Sequence, residues 1–251
     1  MTRTALALSP HLDDAAFSCG GTLHMLSRRG WRVVLATLFT ASVPNPRGFA
    51  LACQTDKGIG PEVDYMALRR EEDAAAARAL GLGVPLHLPL PEAPHRGYES
   101  AAALFGAVGP ADWVAAPLEE TLGYLVGQVR PDLVLAPQAI GGHVDHVQLT
   151  RTFGRMAARA PVLWWRDFPY SSREAAPAEP FAAELGRLPE LAVALTPEAL
   201  AAKRAACAAY ASQLGFQFGG PEGLDRRLAE AGSVERFRRG GAVDLGLPTA
   251  A

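Results

Sequence analysis

Short apolar runs alternate with helical segments along most of this chain, and that alternation leaves few architectures open. Thr4 to Leu8 is an apolar run stopped by Ser9-Pro10, as a buried strand ending in a loop should be. Asp14 to Arg29 places Ala15, Ala16, Cys19, Leu23 and Leu26 near helical spacing, weakened in the middle by Gly20-Gly21 and closed by Gly30. Arg32 to Phe39 is a second strand, rich in β-branched and apolar residues. The pattern then predicts a helix over Met66 to Leu80, a strand over Val84 to Leu90, a helix over Leu118 to Val129 and a strand over Pro131 to Pro137. Further on it predicts a helix over His146 to Ala158, strands over Pro161 to Trp165 and Glu190 to Leu195, and a last helix running from Thr196-Pro197 to about Leu214. Strands separated by helices imply an α/β fold, a mostly parallel sheet with helices on both faces. No repeat or linker divides residues 1–251, so one domain is expected, with a Gly- and Arg-rich tail of lower order from about residue 215.

Composition narrows the function classes. A formal net charge of −2 gives no electrostatic reason to expect nucleic acid or an anionic membrane as partner. No segment approaches the roughly 20 apolar residues of a membrane helix, and the N-terminal apolar run is too short for a signal peptide, so a cytoplasmic location is expected. Three scattered cysteines, Cys19, Cys53 and Cys207, suit neither a disulfide framework nor a cysteine metal knot and read as small buried hydrophobes.

Ligands of such sheets bind at the carboxyl ends of the strands, and two loops there carry chemistry. His11-Leu12-Asp13-Asp14 follows the first strand, and Gly141-Gly142-His143-Val144-Asp145-His146 follows the strand ending at Pro137. An aspartate at a helix start is often only a cap, but a histidine beside two aspartates at a strand end is more than capping needs. Three protein ligands with open water positions describe a catalytic zinc, and His11, Asp14 and His146 supply such a set. Two imidazoles and one carboxylate leave the site net positive, which acidifies water from about 15.7 toward about 7. Asp13 is then free to act as general base. His143 stands as donor to an oxyanion or acid to a leaving amine, and Asp145 would orient His143 and keep it protonated.

With these motifs the chain resembles the LmbE-like or PIG-L family of zinc-dependent N-deacetylases, which includes GlcNAc-phosphatidylinositol de-N-acetylases and the deacetylases of mycothiol and bacillithiol synthesis. The family's His-Pro-Asp-Asp-Glu stands here as His11-Leu12-Asp13-Asp14-Ala15, its His-x-Asp-His as His143-Val144-Asp145-His146, and Gly20-Gly21-Thr22 also matches. The resemblance covers about the first 165 residues, with weaker matches at Arg69 to Gly81 and Lys203 to Gln213. It implies a Rossmann-like fold with one Zn²⁺ per chain, Fe²⁺ being a possible substitute, and a small-molecule N-acetylated amino sugar or conjugate as substrate. It makes His11, Asp14 and His146 the metal ligands, Asp13 the base and His143 the acid or oxyanion stabiliser. Members often self-associate, so a homo-oligomer is compatible. Leu12 replaces the usual Pro and Ala15 the usual Glu, while Gly141 stands where some members carry a Tyr near the metal.

Arg69 and Glu92 are candidate substrate contacts, and the connections Thr40 to Asp64 and Pro91 to Pro110 are candidate pocket walls. Asp167 and Tyr170 read as packing residues, Trp164 and Trp165 as rings on opposite sides of one strand, and His24, His87 and His95 as structural or surface residues. Two alternatives stand beside the hydrolase. One is a non-catalytic Rossmann-like sugar-binding module, suggested by Ala15. The other is a non-haem Fe(II) oxygenase, since two histidines and a carboxylate also describe that centre.

Overall fold

The computed structural model describes residues 2–156, 160–172 and 176–250. In chain order the elements are β1 (Thr4–Ser9), α1 (Asp14–Arg28), β2 (Arg32–Thr37), α2 (Gly48–Thr55), α3 (Tyr65–Ala79) and β3 (Leu86–His87). A 3-10 turn at Ala93–Arg96 precedes α4 (Ala101–Leu104), α5 (Ala115–Val129), β4 (Leu133–Pro137), α6 (Val144–Arg155) and β5 (Val162–Trp165). After a second 3-10 turn at Tyr170–Ser172 come α7 (Ala182–Leu185), β6 (Glu190–Ala194), α8 (Pro197–Ala208), α9 (Ala211–Phe218), α10 (Pro221–Ala231) and β7 (Val234–Gly240).

The strands form one seven-stranded sheet in the order β3-β2-β1-β4-β5-β7-β6, parallel except for β7, which pairs antiparallel with both β5 and β6. From β1 the chain winds outward to β2 and β3 on one side and later to β4 and β5 on the other. The crevice between β1 and β4 is therefore the switch point where such sheets hold ligands. Strand periodicity explains the two-sided core. Ala5 and Ala7 of β1 face a cluster with Leu23 and Leu26 of α1, whereas Leu6 and Leu8 face one with Leu118 and Leu122 of α5. Each such fully buried leucine contributes about 1.5–3 kcal/mol. Trp165 and Trp164 divide between the same two clusters, as expected for neighbours on one strand.

Several expected boundaries move. The connection from Thr40 to Asp64 contains α2, and the expected strand from Val84 shrinks to Leu86–His87. Of the helix expected to Ala158, Val144–Arg155 is helical, and Ala157 and Ala158 lie outside the described residues. The helix expected to run from Pro197 to Leu214 breaks at Tyr210, whose φ of −84° and ψ of 58° aim its hydroxyl at the buried Asp73, 2.6 Å away. The tail is not loose. It forms α10 and then β7, which sits inside the sheet between β5 and β6.

The tail also explains the weak middle of α1, which kinks at Cys19 (φ −139°, ψ 19°). Past the kink the amides of Gly21 and Thr22 donate to the Glu235 carboxylate of β7, at 3.0 and 2.7 Å. Lys203 of α8 closes the cluster 2.7 Å from Glu235 Oε1. A Cβ at position 21 would come to 2.6 Å from the end of the Leu195 side chain and 3.2 Å from Glu235 Oε1, so a larger residue there requires Leu195 to move.

Candidate active site

The loop leaving β1 is locked by Ser9, whose hydroxyl donates to the His11 carbonyl (2.7 Å) and accepts from the Ala15 amide (3.1 Å). Asp14 opens α1 and accepts from the His11 amide at 2.8 Å. Asp13 makes no capping bond and sits at φ 155°, ψ −33°, a conformation L-residues rarely adopt. Both aspartates are buried, so capping does not account for them.

Across the crevice, the loop after β4 turns through Gly141 (φ 98°) and Gly142 (φ 76°), which delivers His143 and His146 to the start of α6. His11 Nδ1 lies 3.3 Å from Asp14 Oδ2, His146 Nε2 lies 3.1 Å from the same oxygen, and the two nitrogens are 3.3 Å apart. Ligands about 2.0–2.1 Å from a tetrahedral zinc stand roughly 3.3–3.4 Å from each other, so this triangle of donors has the size for one divalent cation. The three imidazoles of His11, His143 and His146 also bring one ring nitrogen each within 4.8 Å of one another, a looser set.

What surrounds the triangle fixes its tautomers. His11 donates through Nε2 to Asp145 Oδ2 at 2.9 Å, and His146 donates through Nδ1 to Asp167 Oδ1 at 2.8 Å. Each ring therefore turns its other nitrogen toward the common point, where a metal ion would take the place of a proton, the arrangement expected of carboxylate-supported metal ligands. Burial works against charge on His146, yet Asp14 and Asp167 outweigh it and raise its pKa to about 9. His11 is likewise raised against its burial, by Asp14 and Asp145. The loops thus create a potential that draws positive charge to this point.

Two expectations need correction. Asp145 does not orient His143 through its carboxylate, which lies 4.0 Å from His143 Nδ1. The carboxylate serves His11 and is held in turn by the Ala93 amide at 3.0 Å and by Arg96 Nη2 at 2.8 Å, an ion-pair contact off the hydrogen-bond axis. Only the backbone N–H of Asp145 reaches His143, donating to Nδ1 at 3.2 Å. A neutral His143 consequently carries its proton on Nε2. Burial, reinforced by the neighbouring His11, lowers its pKa to about 3. Asp167, read from sequence as packing, holds His146; Tyr170, read likewise, lines the cleft.

Arg69 and Glu92 both border the cleft, but each is engaged. Arg69 Nη1 donates to Glu92 Oε1 at 2.8 Å, and Nη2 donates to the Leu12 carbonyl at 2.9 Å and lies 3.3 Å from Asp13 Oδ2. Its guanidinium orients Asp13 from behind. Burial pushes the Asp13 carboxyl up to about 7 although Arg69 opposes the shift. Ala15 is buried in the core cluster that α1 forms against the sheet, where a glutamate would need a buried partner. At Gly141 a Cβ would come within 2.8 Å of the Tyr170 ring, which stands edge-on to His146 at 5.9 Å between centroids. An aromatic ring thus reaches the space beside position 141 from a different loop.

The cleft above the triangle has a volume of about 240 Å³, with walls from α2 (Phe49, Cys53), α3 (Tyr65, Arg69), α4 and the adjoining Phe105, and α9 (Gln213, Phe216). Both irregular connections thus contribute walls, and so does α9, where Gln213 ends the weaker match from Lys203 and Phe216 lies beyond it. A larger cavity of about 610 Å³ lies between α8, α10 and β7. Its charged groups are already paired, Lys203 with Glu235 and Arg204 with Asp225, so the smaller cleft is the chemical one. No helix among the described residues is long and apolar enough to cross a membrane.

Residues 6–157 match the family model described as PIG-L, GlcNAc-PI de-N-acetylase. The chain is 34% identical over 170 residues to a 2′-N-acetylparomamine deacetylase of Streptomyces fradiae, a match taking in 67% of this chain and 58% of that protein. It is 31% identical over 189 residues to a 2′-N-acetylparomamine deacetylase of Niallia circulans, covering 67% of this chain and 68% of that one. Among solved structures, the A40926 pseudoaglycone deacetylase superposes with a TM-score of 0.74 at 28% identity, over 97% of this chain and 99% of that chain. The family match spans both histidine–aspartate loops and most of the residues whose geometry is described above, and this chain belongs to the PIG-L family.

Proposed function

We propose that the chain is a metal-dependent amide hydrolase that removes the acetyl group from the nitrogen of an amino sugar or amino-sugar conjugate. The observation that carries this reading is the triangle of His11 Nδ1, Asp14 Oδ2 and His146 Nε2, with both outer imidazole nitrogens held by carboxylates. This set is preferred over the three imidazoles because its edges suit tetrahedral coordination and because His143 Nδ1 already accepts a backbone N–H. The relatives named as deacetylases support the choice of bond. A zinc ion, or ferrous iron in its place, would supply Lewis acidity at that point, lowering the pKa of water toward about 7 and polarising the amide carbonyl.

The protein's own groups do the rest. Asp13, oriented by Arg69, accepts the proton of the attacking water and can return it to the leaving nitrogen. His143, protonated on Nε2, donates toward the oxyanion that develops on the carbonyl. Arg69 and Glu92 border the cleft where sugar hydroxyls would lie. The decisive experiment is metal analysis of the purified protein together with acetate release from N-acetylglucosamine conjugates. One zinc per chain, lost in Asp14→Ala, with acetate released only by the parent, is the expected result. A parent that binds no more metal than Asp14→Ala, or that releases no acetate when loaded, refutes the reading.

A further inference from the structure

The mouth of the cleft carries two exposed aromatic rings. Phe216 of α9 is 66% exposed and Phe105, just past α4, is 40% exposed, and both line the cleft that holds His11, Asp13 and His143. Scattered exposed phenylalanines need no explanation, but two at the rim of one reactive cleft form an apolar lip of the kind that marks binding. Phe216 is also braced. The Lys57 ammonium lies 4.8 Å from its ring centroid and 5.4 Å from that of Tyr65, and it donates to the Cys53 carbonyl. A cation behind the ring orders it while a face stays open. Phe105 is held by an edge contact to His143 at 5.3 Å and a tilted contact to Tyr170 at 5.8 Å between centroids.

Once the reacting amide lies over the triangle, the remainder of the molecule has to leave past the rim, where Phe49 and Leu104 add further apolar surface.

We infer that the substrate is an N-acylated amino sugar whose aglycone is flat and aromatic, stacked on Phe216 and Phe105 at the mouth. The inference rests on the deacetylase reading and narrows its substrate class. Such stacking changes binding by about two- to tenfold per ring beyond area burial.

The test compares kcat/KM of the zinc-loaded protein on the phenyl, octyl and methyl β-glycosides of N-acetylglucosamine. The phenyl glycoside should exceed the methyl by about tenfold and the octyl by several-fold. Phe216→Ala with Phe105→Ala should bring the phenyl-to-methyl ratio close to one, while Phe216→Trp should preserve it. Equal rates on phenyl and methyl, a phenyl preference that survives the double substitution, or an octyl preference would each overturn the inference and leave the deacetylase reading standing. Failure to turn over any glycoside would instead refute that reading. Calorimetric binding of phenyl against methyl glucosaminide then still decides the lip: tighter phenyl binding lost in the double variant supports it, and equal binding overturns it.

Discussion

Asp167 offers a sharp test of how the site is held, because both of its partners are donors. Its Oδ1 accepts from His146 Nδ1 at 2.8 Å and its Oδ2 from the Ile140 amide at 2.9 Å. Asp167→Asn keeps the shape but replaces one acceptor with an NH₂. If the amide oxygen stays on Ile140, the NH₂ faces His146 Nδ1 and selects the tautomer with its proton on Nε2, which cannot ligate. If the oxygen turns to His146, the Ile140 amide is left buried without a partner, at about 1–3 kcal/mol, and the loop carrying Gly141 to His143 loses its tie to β5. Either way zinc binding weakens. Loss of such an outer carboxylate typically costs 10–100-fold in affinity, or about 1.4–2.7 kcal/mol. Competition for zinc against a chromophoric chelator measures this directly, with thermal unfolding as a check that the variant is folded. A folded Asp167→Asn whose zinc affinity stays within about twofold of the parent would refute the assignment of His146 Nε2 as a ligand.

Asp13→Asn should retain zinc in metal analysis while acetate release falls by about 10²–10⁴-fold; a loss of metal instead would make Asp13 a ligand. Glu235→Ala strands the buried Lys203 and two amides of α1. It should lower stability by about 3–5 kcal/mol, which for a domain of this size is a fall in Tm of about 6–20 °C. An unchanged melting curve would contradict the cluster. Burial alone would raise the Asp112 carboxyl, but its hydrogen bonds from Arg96 and Gln148 more than offset this and hold it below 3.8. Its stabilisation is therefore complete above that pH and lost as pH falls through the lower folded value. Asp112→Asn should flatten the acid limb of the stability–pH curve, and equal acid slopes in parent and variant would show that Asp112 does not contribute.

The parts of the site that were legible in sequence share one property: they sit in short motifs directly after a strand. His11, Asp13, Asp14 and His146 each belong to such a cluster, and strand-end chemistry is a rule of parallel sheets. Asp167 also follows a strand, two residues past β5, but it is a lone carboxylate outside any histidine–aspartate cluster, and its role depends on β5 lying beside β4, a pairing across the sheet. Asp145 sits two residues from His143, yet its carboxylate meets His11, 134 positions away in sequence. Proximity along the chain was the wrong guide there. The tail was misread for a compositional reason. Val234–Gly240 is dense in arginine, which suggests a solvated segment, but its Phe237 is core and its Glu235 points inward to α1. Phe216 was hidden by the break at Tyr210, where no glycine or proline marks the end of α8.

The two carboxylates behind the histidines are not equivalent. Burial would raise the Asp145 carboxyl, but the hydrogen bond from His11 and then the charge of Arg96, itself forked onto Asp112 at 2.9 and 3.0 Å, hold it low. Among the described residues, Asp167 pairs with His146 and a backbone amide, with no further cation against it, and burial raises its carboxyl. His11 is thus backed by a chain of paired charges reaching α5's approach at Asp112, whereas His146 depends on a single buried carboxylate at the end of β5. Distortion that separates β5 from β4 should therefore cost the centre its His146 side first. On its other edge β5 pairs with β7, so the segment whose composition suggested disorder also buttresses the weaker half of the metal site.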